Sequence, residues 1–268
     1  MAKKEKAVKA KEPSVIYYQD ELTDEFSTAQ ITPKVIDGNY RYDRSKGIHG
    51  LLRFFWYGLI APLPAFLYRK LKFRHKILGR EKLKKHKKEA IFLFGNHTQP
   101  IGDAVIPSFI RYPAYIIVHP NNVSMPCLGR INPYLGALPL PDDMGAAKNF
   151  VATIKKKVEK KRAIFIYPEA HIWPYYTGIR PFGAESFQYP VKYGTPVYAF
   201  TNTYQKRRFS HKPRILTYID GPFYPDTALP PRARREQLRN EVYNAMTERS
   251  KLSDCVVIEY KKAEEETI

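Results

Sequence analysis

Short apolar runs of strand length alternate with longer amphipathic stretches from residue 90 onward. AIFLFG (90–95), AYIIVH (114–119), AIFIYP (163–168), TPVYAF (195–200) and RILTYID (214–220) are rich in β-branched and aromatic side chains and read as strands. AVIPSFI (104–110) follows the first of them as a predicted helix. Ala147, Phe150, Val151, Ile154 and Val158 recur at three- and four-residue steps, which predicts a helix with a basic outer face within 144–162. A shorter helix is expected at 185–193, and Leu238, Val242, Ala245 and Met246 mark another at 231–251. CVVIEY (255–260) adds a final strand. Strands separated by helices predict an α/β fold, a single domain with a mostly parallel central sheet flanked by helices.

Two blocks of opposite character precede this pattern. Residues 51–68, LLRFFWYGLIAPLPAFLY, carry one charge, Arg53, whereas residues 69–88 carry eleven Lys or Arg against one acid, Glu81. The fifteen uncharged residues from Phe54 to Tyr68 would reach about 22 Å as a helix, short of a hydrocarbon core of about 30 Å. Pro62, Pro64 and Gly58 weaken that helix further. The expectation is a re-entrant or interface-lying segment, with Trp56, Tyr57 and Tyr68 at headgroup level and the basic block against an anionic membrane surface. A buried core helix followed by a solvated basic loop fits the same two blocks. The chain divides into an N-terminal tail and polar extension (1–48), the apolar segment and basic block (49–89), the α/β domain (90–260) and an acidic tail (261–268).

Composition narrows the function. With 45 Lys and Arg against 26 Asp and Glu, the 268-residue chain carries +19, yet no RNA- or DNA-binding motif accompanies the charge, so no nucleic-acid partner is expected. A mean hydropathy of −0.46 excludes a polytopic membrane protein. Two distant cysteines, Cys127 and Cys255, exclude a disulfide scaffold and fit a reducing compartment. The Lys-rich start lacks the apolar run of a secretory signal and reads as a solvated tail. The expected location is the cytoplasmic face of a membrane, peripheral or monotopic.

The candidate chemistry sits at strand ends. AIFLFG runs into Asn96 and His97, then Thr98, Gln99, Pro100, Ile101, Gly102 and Asp103. A His and an Asp flanking a turn at a strand's carboxyl end stand where α/β sheets place ligands. A carboxylate-oriented imidazole can act as general base, although Asp is also a favoured helix N-cap. AIFIYP runs into Glu169, Ala170 and His171 at a second strand end. His171 with Glu169 and His97 invites a metal reading, but the spacing of a helical zinc motif is missing and no metal is expected. Trp173, Tyr175 and Tyr176 either wall a lipid groove or cover the sheet edge.

In order and content these segments resemble the glycerolipid acyltransferases, the family that includes 1-acylglycerol-3-phosphate acyltransferase. Asn96-His97…Asp103 is similar to its N-H-x4-D motif, Tyr134-Leu135-Gly136-Ala137-Leu138-Pro139 to its second, Tyr167-Pro168-Glu169 to its F-P-E-G-T-R motif and Thr195-Pro196-Val197-Tyr198 to its fourth. The resemblance spans residues 51–219 and departs at two places. Five residues separate His97 from Asp103 where the family has four, and Ala170, His171 and Ile172 stand where it has Gly, Thr and Arg.

The resemblance implies acyl transfer from an acyl thioester, on coenzyme A or acyl carrier protein, to a hydroxyl of a lysophospholipid acceptor, with no further cofactor. His97 and Asp103 are the implied catalytic pair. Asn96, Glu169, His171, Arg180 and Arg130 are the substrate-binding candidates, with Arg180, Lys192 or Arg130 replacing the missing motif arginine as phosphate ligand. A non-catalytic lipid-binding relative and an acyl-thioester hydrolase are the rival readings; no Gly-x-Ser-x-Gly elbow is present for a serine hydrolase.

Overall fold

The computed structural model describes residues 12–27 and 31–263. The Lys-rich start and residues 264–268 of the acidic end, both expected as tails, lie outside them. Strand β1 (Ser14–Tyr18) pairs in parallel with β9 (Ile258–Lys262) as a separate two-stranded ribbon. The predicted final strand therefore joins the N-terminal extension rather than the central sheet, and it crosses the expected boundary at 260.

The central sheet contains β2 (Lys76–Leu78), β3 (Ile91–Gly95), β4 (Ala114–Val118), β5 (Ala137–Pro139), β6 (Ala163–Ile166), β7 (Val197–Arg207) and β8 (Ser210–Phe223). Their order is β2-β8-β7-β3-β6-β4-β5, parallel throughout except for the antiparallel β7–β8 pair. Five of the strands were legible as apolar runs. The period-2 alternation of β3 sends Phe92 and Phe94 to one face and Ile91 and Leu93 to the other, and both faces are buried. Helices α3 (Met144–Glu159), α4 (Gln188–Tyr193) and α5 (Pro231–Ser250) cover the first face, with Phe150, Ile154, Leu238, Val242 and Met246 in the core. Helix α2 (Gly102–Ile110) covers the second through Ile106 and Ile110. Phe94 stacks on Phe187 at 4.0 Å, and Phe150 meets Tyr42 edge-on at 5.6 Å, which pins the N-terminal extension to α3.

The apolar segment departs from expectation. Residues Gly47–Lys72 form one helix of 26 residues, α1, long and apolar enough by length and composition to cross a membrane; its length is about 39 Å. The prolines do not break it. Over Phe54–Ile60 the helix widens to π geometry, with Ala61 N–H donating to Trp56 O at 2.8 Å, so Pro62 begins a fresh α turn where its missing N–H is tolerated. One face docks on the domain. Tyr57 is buried and its hydroxyl accepts from Ala114 N–H at 2.8 Å, Arg53 donates to Tyr134 O at 3.1 Å, and Arg69 lies 4.2 Å over the Phe109 ring. The other face exposes Ile48, Leu51, Phe55, Leu59, Leu63, Phe66, Leu67 and Leu71, a stripe at helical spacing.

Beyond α1 the chain turns in at His75, which is 1% exposed and bonded through Nε2 to Thr217 Oγ1 at 2.7 Å. Burial pushes its imidazole down to about 3, with Arg69 and Lys70 adding to the shift. Two predictions follow from the packing. Phe150→Ala should lower unfolding free energy in urea by about 3–5 kcal/mol, as for other fully buried phenylalanines. Because the unfolded chain binds the proton that folded His75 refuses, stability falls as pH drops from 6.5 toward about 3. Relative to His75→Gln, the wild type should lose up to about 1.4 kcal/mol per pH unit in that window, measured by urea unfolding at each pH.

Candidate active site

Strand β3 ends at Gly95, where a Cβ would stand 2.2 Å from the Phe200 ring, so only glycine lets β3 and β7 close here. Asn96 follows, 1% exposed. Its Nδ2 donates to Asn202 O at 3.0 Å and its Oδ1 accepts from Asn202 N–H at 2.8 Å. Both polar ends of the Asn96 amide are engaged in splicing β3 to β7, where a substrate contact was expected. His97 is the first residue past the sheet to reach solvent, its side chain 24% exposed.

The longer turn returns Asp103 to the imidazole. His97 Nδ1 lies 2.8 Å from Asp103 Oδ2. The extra residue is absorbed because the turn closes on itself: Asp103 N–H donates to Gln99 O at 2.8 Å, and Gln99 N–H donates to Asp103 Oδ2 at 2.8 Å. Gly102 permits this closure, since a Cβ there would sit 2.8 Å from that of Gln99. Thr98 and Gln99 are held from below by the buried Tyr204 hydroxyl, 2.7 Å from Thr98 Oγ1 and 3.1 Å from Gln99 Nε2.

Asp103 is 2% exposed and lies in the first turn of α2, where the helix dipole favours its charge. Burial raises its carboxyl pKa, and the His97 hydrogen bond and charge oppose the rise. Its other oxygen, Oδ1, accepts from Asn202 Nδ2 at 3.3 Å. Tyr167 braces the pair from the side, its ring stacked on the imidazole at 4.8 Å and its hydroxyl donating to Asp103 O at 2.6 Å. With Nδ1–H committed to a carboxylate, Nε2 is the nitrogen left to accept a proton.

The loop after β6 runs beside this turn, with Trp173 N–H donating to His97 O at 3.1 Å and Tyr175 N–H to Thr98 O at 2.9 Å. Glu169, 3% exposed, is at its base: Oε2 accepts from His97 N–H and from Arg180 Nη2, each at 3.3 Å. Arg180, 1% exposed, also donates to the carbonyls of His171 and Glu21 and packs over Trp173 at 5.0 Å. The side chains of Glu169 and Arg180 thus brace the two loops against each other, turned inward from the solvent side where an acceptor and its phosphate were expected. Burial raises the Glu169 carboxyl, opposed first by Arg180. Ala170 sits at φ +61° in the left-handed region, at the place of the motif glycine.

His171 is partly exposed and pairs with Glu25 at 2.9 Å. Trp173 is fully buried, stacked on Tyr260 of β9 at 4.8 Å; it closes the core rather than a groove. Arg130 projects elsewhere. With Lys34, Arg44, Tyr40 and Tyr134 it lines a cavity of about 260 Å³ beside the β5 edge, whose lining among the described residues holds no carboxylate.

Residues 201–203, Thr-Asn-Thr, are polar and fully buried within a strand whose neighbours are apolar, and Asn202 reaches Asp103 from there. That break in hydropathy was the available signal for Asn202; neither Thr217 nor Tyr204 carried one.

No family model matches the chain, nor does any curated protein by sequence. Its structure is similar to the crystal structure of the 1-acyl-sn-glycerophosphate (LPA) acyltransferase PlsC from Thermotoga maritima. The TM-score is 0.51 at 15% identity, over 76% of this chain and 88% of that one. The likeness establishes the fold, a mixed α/β domain with a mostly parallel central sheet flanked by helices.

Proposed function

We propose that this protein is a membrane-surface O-acyltransferase that moves an acyl group from a thioester to a hydroxyl of a glycerolipid acceptor. The observation that carries the reading is the 2.8 Å contact between His97 Nδ1 and the buried Asp103 carboxylate at the end of β3, with the imidazole open to solvent. His97 Nε2 takes the acceptor's hydroxyl proton as its oxygen attacks the thioester carbonyl. The new ester C–O bond forms, the C–S bond breaks, and the proton passes from His97 to the leaving thiolate. Asp103 holds the tautomer and stabilises the imidazolium. The fold shared with the PlsC acyltransferase supports this reading.

The exposed stripe of α1 would lie along the membrane. Its opposite face is fastened to the domain at Arg53, Tyr57 and Arg69, which favours lying in the interface over spanning. With Arg180 internal and Ile172 buried where the family carries arginine, Lys34, Arg44 and Arg130 around their cavity are the cations we assign to a phosphate. That cavity flanks β5, three strand spacings or about 14 Å from β3. Such a separation exceeds the few bonds between hydroxyl and phosphate in a glycerol phosphate, and suits the phosphates of a thioester carrier. The partly exposed His171, paired with Glu25, serves in this reading as a contact for the acceptor.

The test incubates purified protein with labelled acyl thioester and a panel of lysophospholipids in vesicles. Labelled lipid product supports the reading; free fatty acid indicates a hydrolase, and binding without turnover a lipid-binding protein, and either result overturns it. His97→Ala should reduce transfer by about 10²–10⁴-fold while leaving circular dichroism and vesicle flotation unchanged. Asp103→Asn should fall nearly as far, because the amide favours the wrong tautomer.

A further inference from the structure

Between Asp103 and the end of α1 lies a file of three polar side chains, each touching the next. Asp103 Oδ1 is 3.3 Å from Asn202 Nδ2, and Asn202 Oδ1 is 2.5 Å from Thr217 Oγ1. Thr217 Oγ1 is 2.7 Å from His75 Nε2, and His75 Nδ1 faces Arg69 Nη1 at 3.5 Å. His75, Asn202 and Thr217 are all at most 2% exposed. They follow the sheet: Asp103 lies just past β3, Asn202 is on β7, Thr217 is its register partner on β8, and His75 immediately precedes β2.

Chemistry fixes the direction of every bond. A carboxylate only accepts, so Asn202 must present its NH₂ to Asp103 and its amide oxygen to Thr217. That oxygen also only accepts, so the single hydroxyl proton of Thr217 goes to it. The Thr217 oxygen then accepts from His75 Nε2–H, which leaves His75 Nδ1 bare toward Arg69, an obligatory donor. The depressed pKa of the buried His75 keeps it neutral, as this order requires. No member can reverse without leaving a buried polar atom unpaired, a state that is costly in such an interior.

Resting on the general-base reading above, we propose that Asn202, Thr217 and His75 are positioning residues: a one-way hydrogen-bond relay that holds the Asp103 carboxylate square to His97 and so fixes which imidazole nitrogen carries the proton. Bulk apolar packing could hold the strands equally well; what the relay adds is orientation of one carboxylate. When His97 becomes an imidazolium, the aligned donors stabilise the negative partner with no rearrangement.

The experiment compares wild type with Thr217→Val, which removes the hydroxyl, and Thr217→Ser, which restores it. Two readouts are used. In nitrogen-15-edited NMR of the full chain, the His97 Nδ1 proton should give a downfield, slowly exchanging resonance in wild type and Thr217→Ser. In Thr217→Val it should shift and exchange faster. In acyl transfer, Thr217→Val should lower kcat about tenfold with KM unchanged, and Thr217→Ser should recover it. An unchanged His97 resonance in Thr217→Val overturns the relay, as does a Thr217→Ser variant as impaired as Thr217→Val, which would mark a packing role. The NMR comparison needs no turnover. A wild type without acyl transfer would therefore defeat the proposed function while leaving the relay to be judged by the resonance.

Discussion

A single buried carboxylate organises this molecule's candidate chemistry. Asp103 is removed from water, which by itself favours its neutral form, and it accepts from His97, from Gln99 N–H and from Asn202. Each of those donors comes from a different part of the chain: the end of β3, the turn that follows it and the middle of β7. The requirement to satisfy Asp103 thereby dictates how these elements meet. It explains why the polar Asn202 is buried in the middle of β7.

The second constraint is mechanical. Glu169 and Arg180 form an ion pair with no exposed side-chain surface, and the pair carries the His97 backbone N–H on one side and two carbonyls on the other. A pair so enclosed contributes less by Coulomb attraction than by fixing one arrangement of the two loops, since desolvation offsets much of the attraction. The loop after β6 and the turn after β3 are thus one rigid unit. The Glu169 carboxylate meets His97 through its backbone N–H. The Arg180 guanidinium is spent on Glu169 and on backbone carbonyls, whereas Lys34, Arg44 and Arg130 line the cavity at the β5 edge of the sheet.

Sequence reading reached the elements whose signal is local. The strand runs at 90–95, 114–119 and 163–168 and the helices of period 3.6 needed only hydropathy. The proximity of His97 and Asp103 needed only a turn with Pro100 and Gly102 able to bring the chain back. What stayed hidden depends on distant residues. Glu169 and Arg180 look like surface ligands until the loop from 169 to 180 folds over them, and Asn96 looks like a site residue until β7 arrives with Asn202 at its amide. The apolar segment was read as too short because its uncharged run covers only residues 54–68; the helix runs on past the charges at both ends, and a π-helical stretch, which has no sequence signature of its own, carries it past the prolines. The pairing of β1 with β9 joins residues some 240 positions apart, for example Ser14 with Ile258, and no local pattern encodes it.

The claim at the centre is that His97 activates an acceptor hydroxyl directly, with no acyl group ever resting on the protein. Single-turnover mixing of excess protein with labelled acyl thioester, first without and then with lysophospholipid vesicles, tests it. The account predicts intact thioester and unlabelled protein in the first phase, and label passing into lipid only when acceptor is added. Label on the protein, or its release to water before any acceptor is present, would contradict it.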